Sequence, residues 1–173
     1  MHALHLLRHA KSSWADDALD DHDRPLSKRG RRDADAVARH LADRGEAPDL
    51  VLSSTAARVR ATLAPLLERL KPRRILLDRA LYLASGAVLL EYLRNTDEDV
   101  GSALLVGHNP GLHELALMLR DPNSPVELPP LSGKFPTGAL ASFRFATEWR
   151  RLKPRAATLI AYATPRELAE RRE

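Results

Sequence analysis

Two histidines and several arginines stand where a chain alternating strands and helices would bring them together. Arg8-His9-Ala10-Lys11 directly follows the apolar run Ala3 to Leu7. Ser53-Ser54-Thr55 follows Leu50-Val51-Leu52, with Arg58 and Arg60 a few residues on, and Gly107-His108-Asn109-Pro110-Gly111 follows Ala103 to Val106. A short apolar run that stops abruptly at polar residues reads as a buried parallel strand, and open α/β sheets bind ligands beyond the carboxyl ends of their strands. The residues at these ends suit a phosphoryl group. Arginine presents a planar fork that stays charged at any working pH and grips two oxygens at once. A neutral imidazole can act as a nucleophile. A helix beginning near Pro110 would add backbone N–H groups and a positive dipole end. Arg8, His9, Arg58 and His108 are therefore the candidate site, with Asn109 and Lys11 as further substrate contacts. Arg60 reads as a solvated helix residue.

The elements that must position these groups follow from periodicity. Strand-like runs occur at Ala3 to Leu7, Leu50 to Leu52, Ile75 to Leu77, Ala103 to Val106, Ala139 to Phe145 and Thr158 to Tyr162. Between them, Ser27 is a helix N-cap, Val37 and Leu41 share a face, and Gly45 offers a C-terminal stop. Ala56 to Leu70 and Val88 to Leu93 read as two more helices. A fourth opens with Asn109 as cap and Pro110 at the first helical position. Alternation of this kind predicts an α/β fold, a three-layer α/β/α sandwich with a mostly parallel central sheet. The stretch Asp121 to Pro136, with five of the twelve prolines, is a long loop suited to lid, binding or spacer duty.

Length and composition narrow the classes. A chain of 173 residues, 44% hydrophobic and 29% charged, suits a single domain over residues 1–173 with a real core. No apolar run approaches the roughly 20 residues of a membrane span. The N-terminal residues lack the marks of a secretory signal, so a cytoplasmic protein is expected. The absence of cysteine excludes disulfides, thiolate metal sites and cysteine nucleophiles. A net charge of +4 invites nucleic acid, but the basic residues are scattered and only 5% of residues are aromatic. An anionic small group is the better match; neither nucleic acid nor membrane is expected as a partner.

Three blocks in order carry a family resemblance. Arg8-His9-Ala10 resembles the Arg-His-Gly signature of the histidine phosphatase superfamily, which has the phosphoglycerate-mutase-like fold. Ser53 to Thr62, containing Arg58, is similar to the second block, and Val106-Gly107-His108-Asn109 to the third. Arg8-His9-Ala10-Lys11, Asp23-Arg24-Pro25-Leu26-Ser27 and Pro136-Thr137-Gly138-Ala139 look most like the small bacterial phosphohistidine phosphatases, the SixA-like group. The resemblance implies a covalent phosphohistidine on His9, with Arg8, Arg58 and His108 holding the transferring oxygens, and no metal or other cofactor. It implies a phosphorylated substrate, with a phosphohistidine-bearing protein among the candidates.

The chain departs from the family pattern twice. Ala10 replaces the signature glycine, which matters if the turn requires positive φ. The region where many relatives carry a glutamate acid reads Asp78-Arg79-Ala80-Leu81-Tyr82, leaving Tyr82 or the Asp-rich stretch beginning at Asp16 as possible proton donors. A weak acid favours a leaving group that protonates readily, such as the imidazole of phosphohistidine. The alternatives are a small-molecule phosphomonoesterase of the same fold and a non-catalytic phospho-binding module. Asp33-Ala34-Asp35-Ala36-Val37 matches an aspartate-nucleophile pattern but lies in a basic helical segment, and no histidine–carboxylate spacing resembles a metal site.

Overall fold

In the computed structural model, which describes residues 1–130 and 132–170, six strands form one sheet in the order β3-β2-β4-β1-β5-β6. The strands are β1 (His2–Arg8), β2 (Leu50–Ser54), β3 (Arg74–Asp78), β4 (Ser102–Gly107), β5 (Leu140–Phe145) and β6 (Thr158–Ala163). The helices are α1 (Lys28–Asp43), α2 (Ala57–Leu70), α3 (Gly86–Arg94), α4 (Gly111–Leu119) and α5 (Pro165–Glu170). Strand β1 pairs in parallel with β4, and β2 in parallel with both β3 and β4. The antiparallel member is β5, which pairs with β1 and β6.

Alternation along each strand divides the core into two layers. Leu4, Leu6, Leu52, Leu105 and Phe143 point to one face and pack with α3 and α4. Leu7, Val51, Leu104 and Val106 point to the other and pack with α1, α2 and α5. The result is the expected α/β/α sandwich. Among the described residues, no helix is long and apolar enough to cross a membrane.

Local chemistry sets the helix starts. Ser27 Oγ accepts from the Gly30 amide at 3.0 Å, closing the first turn of α1 as predicted. Gly30 lets that turn lie against the segment after β1: a Cβ there would stand 2.0 Å from the Lys11 carbonyl oxygen. The start of α4 differs from expectation. Asn109–Pro110 is a cis peptide, Pro110 is the residue before the helix, and α4 begins at Gly111. Asn109 does not cap; its amide donates to the Phe135 carbonyl at 3.0 Å. Strand β3 also departs from the reading of a buried strand: it lies at the sheet edge, and Ile75, Leu76 and Leu77 are all exposed. Its apolar run has the composition of a buried strand without the second neighbour that would bury it.

The proline-rich segment is a loop, as expected, tied down at several points. Arg120 Nε donates to the Val126 carbonyl, His113 Nε2 to that of Pro129, and Ser124 Oγ accepts from the Leu159 amide. Its last turn buries Phe135 and turns that residue's carbonyl toward the end of β1.

Candidate active site

The carboxyl ends of β1, β2 and β4 meet in a pocket of about 370 Å³ whose lining includes Arg8, His9, Lys11, Arg58, His108 and Asn109. Every predicted site residue except the two candidate donors, Tyr82 and Asp16, lines this pocket. Backbone bonds fix the end of β1 from both sides: the His9 amide donates to Gly107 O, and the Gly138 amide reaches the carbonyls of Arg8 and His9. Helix α2 secures the next residue, since Thr62 Oγ1 accepts from the Ala10 amide at 2.9 Å. Ala10 needs no positive φ. Its methyl group is buried against Leu26 and Ala34, so the departure from glycine is absorbed by packing.

The imidazole of His9 is held in one tautomer. Its Nδ1 lies 2.8 Å from the Ala10 carbonyl, which can only accept, so Nδ1 carries the proton and Nε2 keeps its lone pair. The Nε–H of Arg58 approaches that Nε2 at 3.4 Å. Desolvation lowers the His9 pKa to about 4, and Arg58, Arg8 and Arg24 push in the same direction against the Ala10 bond. His108 lies alongside, with ring centroids 5.3 Å apart. Its Nε2 is 2.8 Å from Ser54 Oγ and its Nδ1 is 3.3 Å from Arg58 Nη2. Burial, then His9 and Arg58, lower the His108 pKa to about 3. Both rings are neutral at physiological pH.

Arg58 is clamped end-on. Its Nη1 donates to the backbone carbonyl of Asp21 and its Nη2 to the Asp21 carboxylate at 2.9 Å. The side edge, Nε and Nη2, is thereby turned to the gap between the two histidines. Asp21 is itself held by the Tyr82 hydroxyl and by Arg24 Nε at 3.1 Å. Tyr82, then Arg58 and Arg24, lower the Asp21 pKa to about 2. Arg8 donates through Nη1 to the Phe135 carbonyl at 2.8 Å, while its buried Nε has no partner among the described residues, nor has Asn109 Oδ1.

The two expected proton donors are placed unfavourably for that task. The Tyr82 hydroxyl is bound to Asp21, and burial, with that carboxylate, raises its pKa. Its ring stands edge-on to His108 at 5.2 Å, behind the pocket lining. Asp16 is exposed, accepts from the Ala18 amide at 3.0 Å, and is absent from the pocket lining. Other residues surround the site. His22 reaches Thr55 Oγ1 at 2.9 Å and stacks edge-on with Tyr82. Trp14, 71% exposed, lies at the rim with the Arg24 guanidinium 3.4 Å from its ring centroid. Arg24 had a signal, in the segment Asp23-Arg24-Pro25-Leu26-Ser27, and Asp21 belongs to the Asp-rich stretch offered as a proton source. Trp14 and His22 were missed, and which aspartate of the stretch enters the pocket was not readable, because they come from an irregular loop whose course no periodicity reveals.

The fold and this cluster define a phosphatase, and comparison with known proteins agrees. The profile of the histidine phosphatase superfamily (branch 1) matches residues 4–82. An uncharacterized Mycobacterium tuberculosis protein is 35% identical over 162 residues, covering 92% of this chain and 100% of its own. A protein from Agrobacterium tumefaciens, assigned as phosphohistidine phosphatase SixA, shares 31% identity and a TM-score of 0.73 over 95% of this chain and 98% of its own. The protein histidine phosphatase SixA complexed with tungstate shares 25% identity and a TM-score of 0.78 over 96% of this chain and 99% of its own. The chain belongs to the histidine phosphatase superfamily. Within it, this is a SixA-like phosphatase.

Proposed function

We propose that the protein hydrolyses N-phosphoryl groups, protein phosphohistidine foremost, through a covalent phosphohistidine formed on Nε2 of His9. One observation carries this reading: a neutral imidazole with a fixed lone pair stands beside Arg58 in a pocket whose acidic neighbours hold no transferable proton. The tungstate complex of the SixA relative is consistent with a phosphate-shaped anion in such a pocket.

The substrate phosphoryl group lies against the side edge of Arg58, with Arg8 Nε and Asn109 at its flank. The His9 Nε2–P bond forms as the substrate N–P bond breaks. A substrate imidazole already protonated on its other nitrogen leaves as neutral imidazole, so no enzyme acid is required. His9 then carries both the phosphoryl group and its Nδ1 proton, stabilised by the Ala10 carbonyl. Water attacks phosphorus, the Nε2–P bond breaks, and the water's protons leave with dihydrogen phosphate. The arginines offset the charge on the transferring oxygens in both steps. An alkyl phosphate lacks this route, since its alkoxide must be protonated as it departs.

The test is to mix the protein with a phosphohistidine peptide or phosphoramidate and look for an acid-labile phosphoenzyme by intact mass. Gain of one phosphoryl group and release of phosphate, both absent in His9→Ala, are expected. Equal release by that variant, or faster turnover of simple alkyl phosphates than of phosphoramidate, overturns the reading.

A further inference from the structure

The outer edge of the sheet carries three consecutive apolar side chains in the open: Ile75, Leu76 and Leu77 are 47%, 43% and 46% exposed. They belong to β3, which has a neighbour on one side only. An exposed apolar edge is a template for a further strand, and between Arg74 and Asp78 this one has neither the lysine nor the proline that usually blunts such edges. The Arg74 amide donates to the Asp49 carbonyl at 2.9 Å. Arg74 and, by alternation, Leu76 therefore turn their backbone polar groups toward β2, and Ile75 and Leu77 turn theirs outward.

We propose that β3 pairs antiparallel with β3 of a second copy of this chain, about a two-fold axis at Leu76, joining the two sheets into one. The segment Arg74-Ile75-Leu76-Leu77-Asp78 is complementary to its own reverse. Centred on Leu76, the pairing sets Ile75 opposite the other copy's Leu77, so all outward N–H and C=O groups of the two residues find partners. It also sets Arg74 opposite Asp78 at both ends, the cross-strand arrangement that opposite charges favour. Sliding the centre to Ile75 or to Leu77 loses that charge match and leaves an outward residue facing the end of the strand. Centring on Arg74 or Asp78 places like charges together.

Both end groups are ordered within their own chain, which lowers the entropy lost on pairing. Arg74 holds Asp97 at 2.8 Å and Asp99 at 2.6 Å, and Asp78 accepts from the Tyr92 hydroxyl at 2.6 Å. On one face of β3 an apolar groove of about 640 Å³ runs beside α3, lined by Leu50, Leu52, Leu76, Val88 and Tyr92. A two-fold perpendicular to the sheet keeps like faces on the same side and sets Leu76 beside its counterpart, making the two grooves continuous. The self-complementary edge selects a second copy, since an isologous contact presents the same patch from both partners.

The chain has no cysteine, so an introduced one reports its neighbour without background. Directly opposed Cβ atoms across such a pair lie about 4.5–5.5 Å apart. Leu76→Cys is therefore expected to give an interchain disulfide under mild oxidation, while Ile75→Cys, displaced from the axis, gives little. Light scattering should return twice the 19.2 kDa chain mass for the unaltered protein. Leu76→Lys, at an exposed position, should return the single-chain mass with phosphatase activity intact. A monomer at all concentrations, a dimer that survives Leu76→Lys, or cross-linking through Ile75→Cys as efficient as through Leu76→Cys would overturn the proposal.

Discussion

At the scale of single residues, Asp21 separates two explanations of how such a site works. A carboxylate held by Tyr82, Arg58 and Arg24 acts by fixing the guanidinium of Arg58, not by giving a proton. Asp21→Asn should then lower kcat/KM for phosphoramidate and for an aryl phosphate alike, by up to about 100-fold, the scale of loss when a group that positions the reacting atoms shifts. If Asp21 were the acid, the loss would grow with the pKa of the leaving group; steady-state kinetics on a leaving-group series decides. The two histidines make a pH prediction. Their folded pKa values, about 4 and about 3, lie below the 6.5 of an unperturbed imidazole. The unfolded chain thus binds protons that the folded pocket refuses, and stability is full above about pH 6.5 and falls as pH drops toward 4 and below. Thermal melts across this range should slope less steeply for His9→Ala than for the unaltered protein. Bound tungstate, by bringing negative charge, should raise both imidazole pKa values, which NMR titration reads directly. His9, Arg58 and His108 were legible in sequence because each follows an apolar strand, and strand ends are fixed by the sheet. His22 and the pairing of Asp21 with Arg58 were not: they arrive on a loop whose path is set by contacts with Thr55 and Arg58, residues more than thirty positions away.

At the scale of elements, the pocket depends on how closely helices approach the segments that bear its side chains. Gly30 and Gly111 mark two such approaches. A Cβ on Gly111 would stand 1.8 Å from the Ala84 carbonyl oxygen, so α4 could not keep its place under the turn before α3. Gly111→Ala and Gly30→Ala are each expected to cost about 1–3 kcal/mol, the range for overpacking. Ser27→Ala, which removes one cap bond from α1, should cost about 1 kcal/mol. Denaturant titrations will rank them, and a Ser27→Ala loss as large as either glycine variant would contradict the packing argument. Helix periods and caps were readable where the determinant is local, as at Ser27. They misled at Asn109, where a tertiary partner, the Phe135 carbonyl, takes the side chain that would have capped α4. Strand β3 shows the converse: its residue types announced a strand, but exposure depends on neighbour order, which no local pattern records.

At the scale of the molecule, the parallel sheet gathers the site from distant parts of the chain. The proposed nucleophile stands at position 9, Arg58 and His108 follow at wide intervals, and the carbonyl that steadies Arg8 belongs to Phe135. Fold class was legible because strand and helix alternate through the first four strands, whereas the order of strands in the sheet was not, since it depends on crossovers rather than on composition. Strand β1 is inserted between β4 and β5, and Arg8 and His9 at its end are bonded to Gly107, Gly138 and Ala139. During synthesis, then, His9 leaves the ribosome long before the residues that complete the pairing of its strand. It waits, its strand first without either neighbour and then with β4 alone, until Gly138, Ala139 and β5 have been made. Recovery of phosphoryl transfer in a refolding experiment would accordingly mark the closing event of folding, after the helices have already formed.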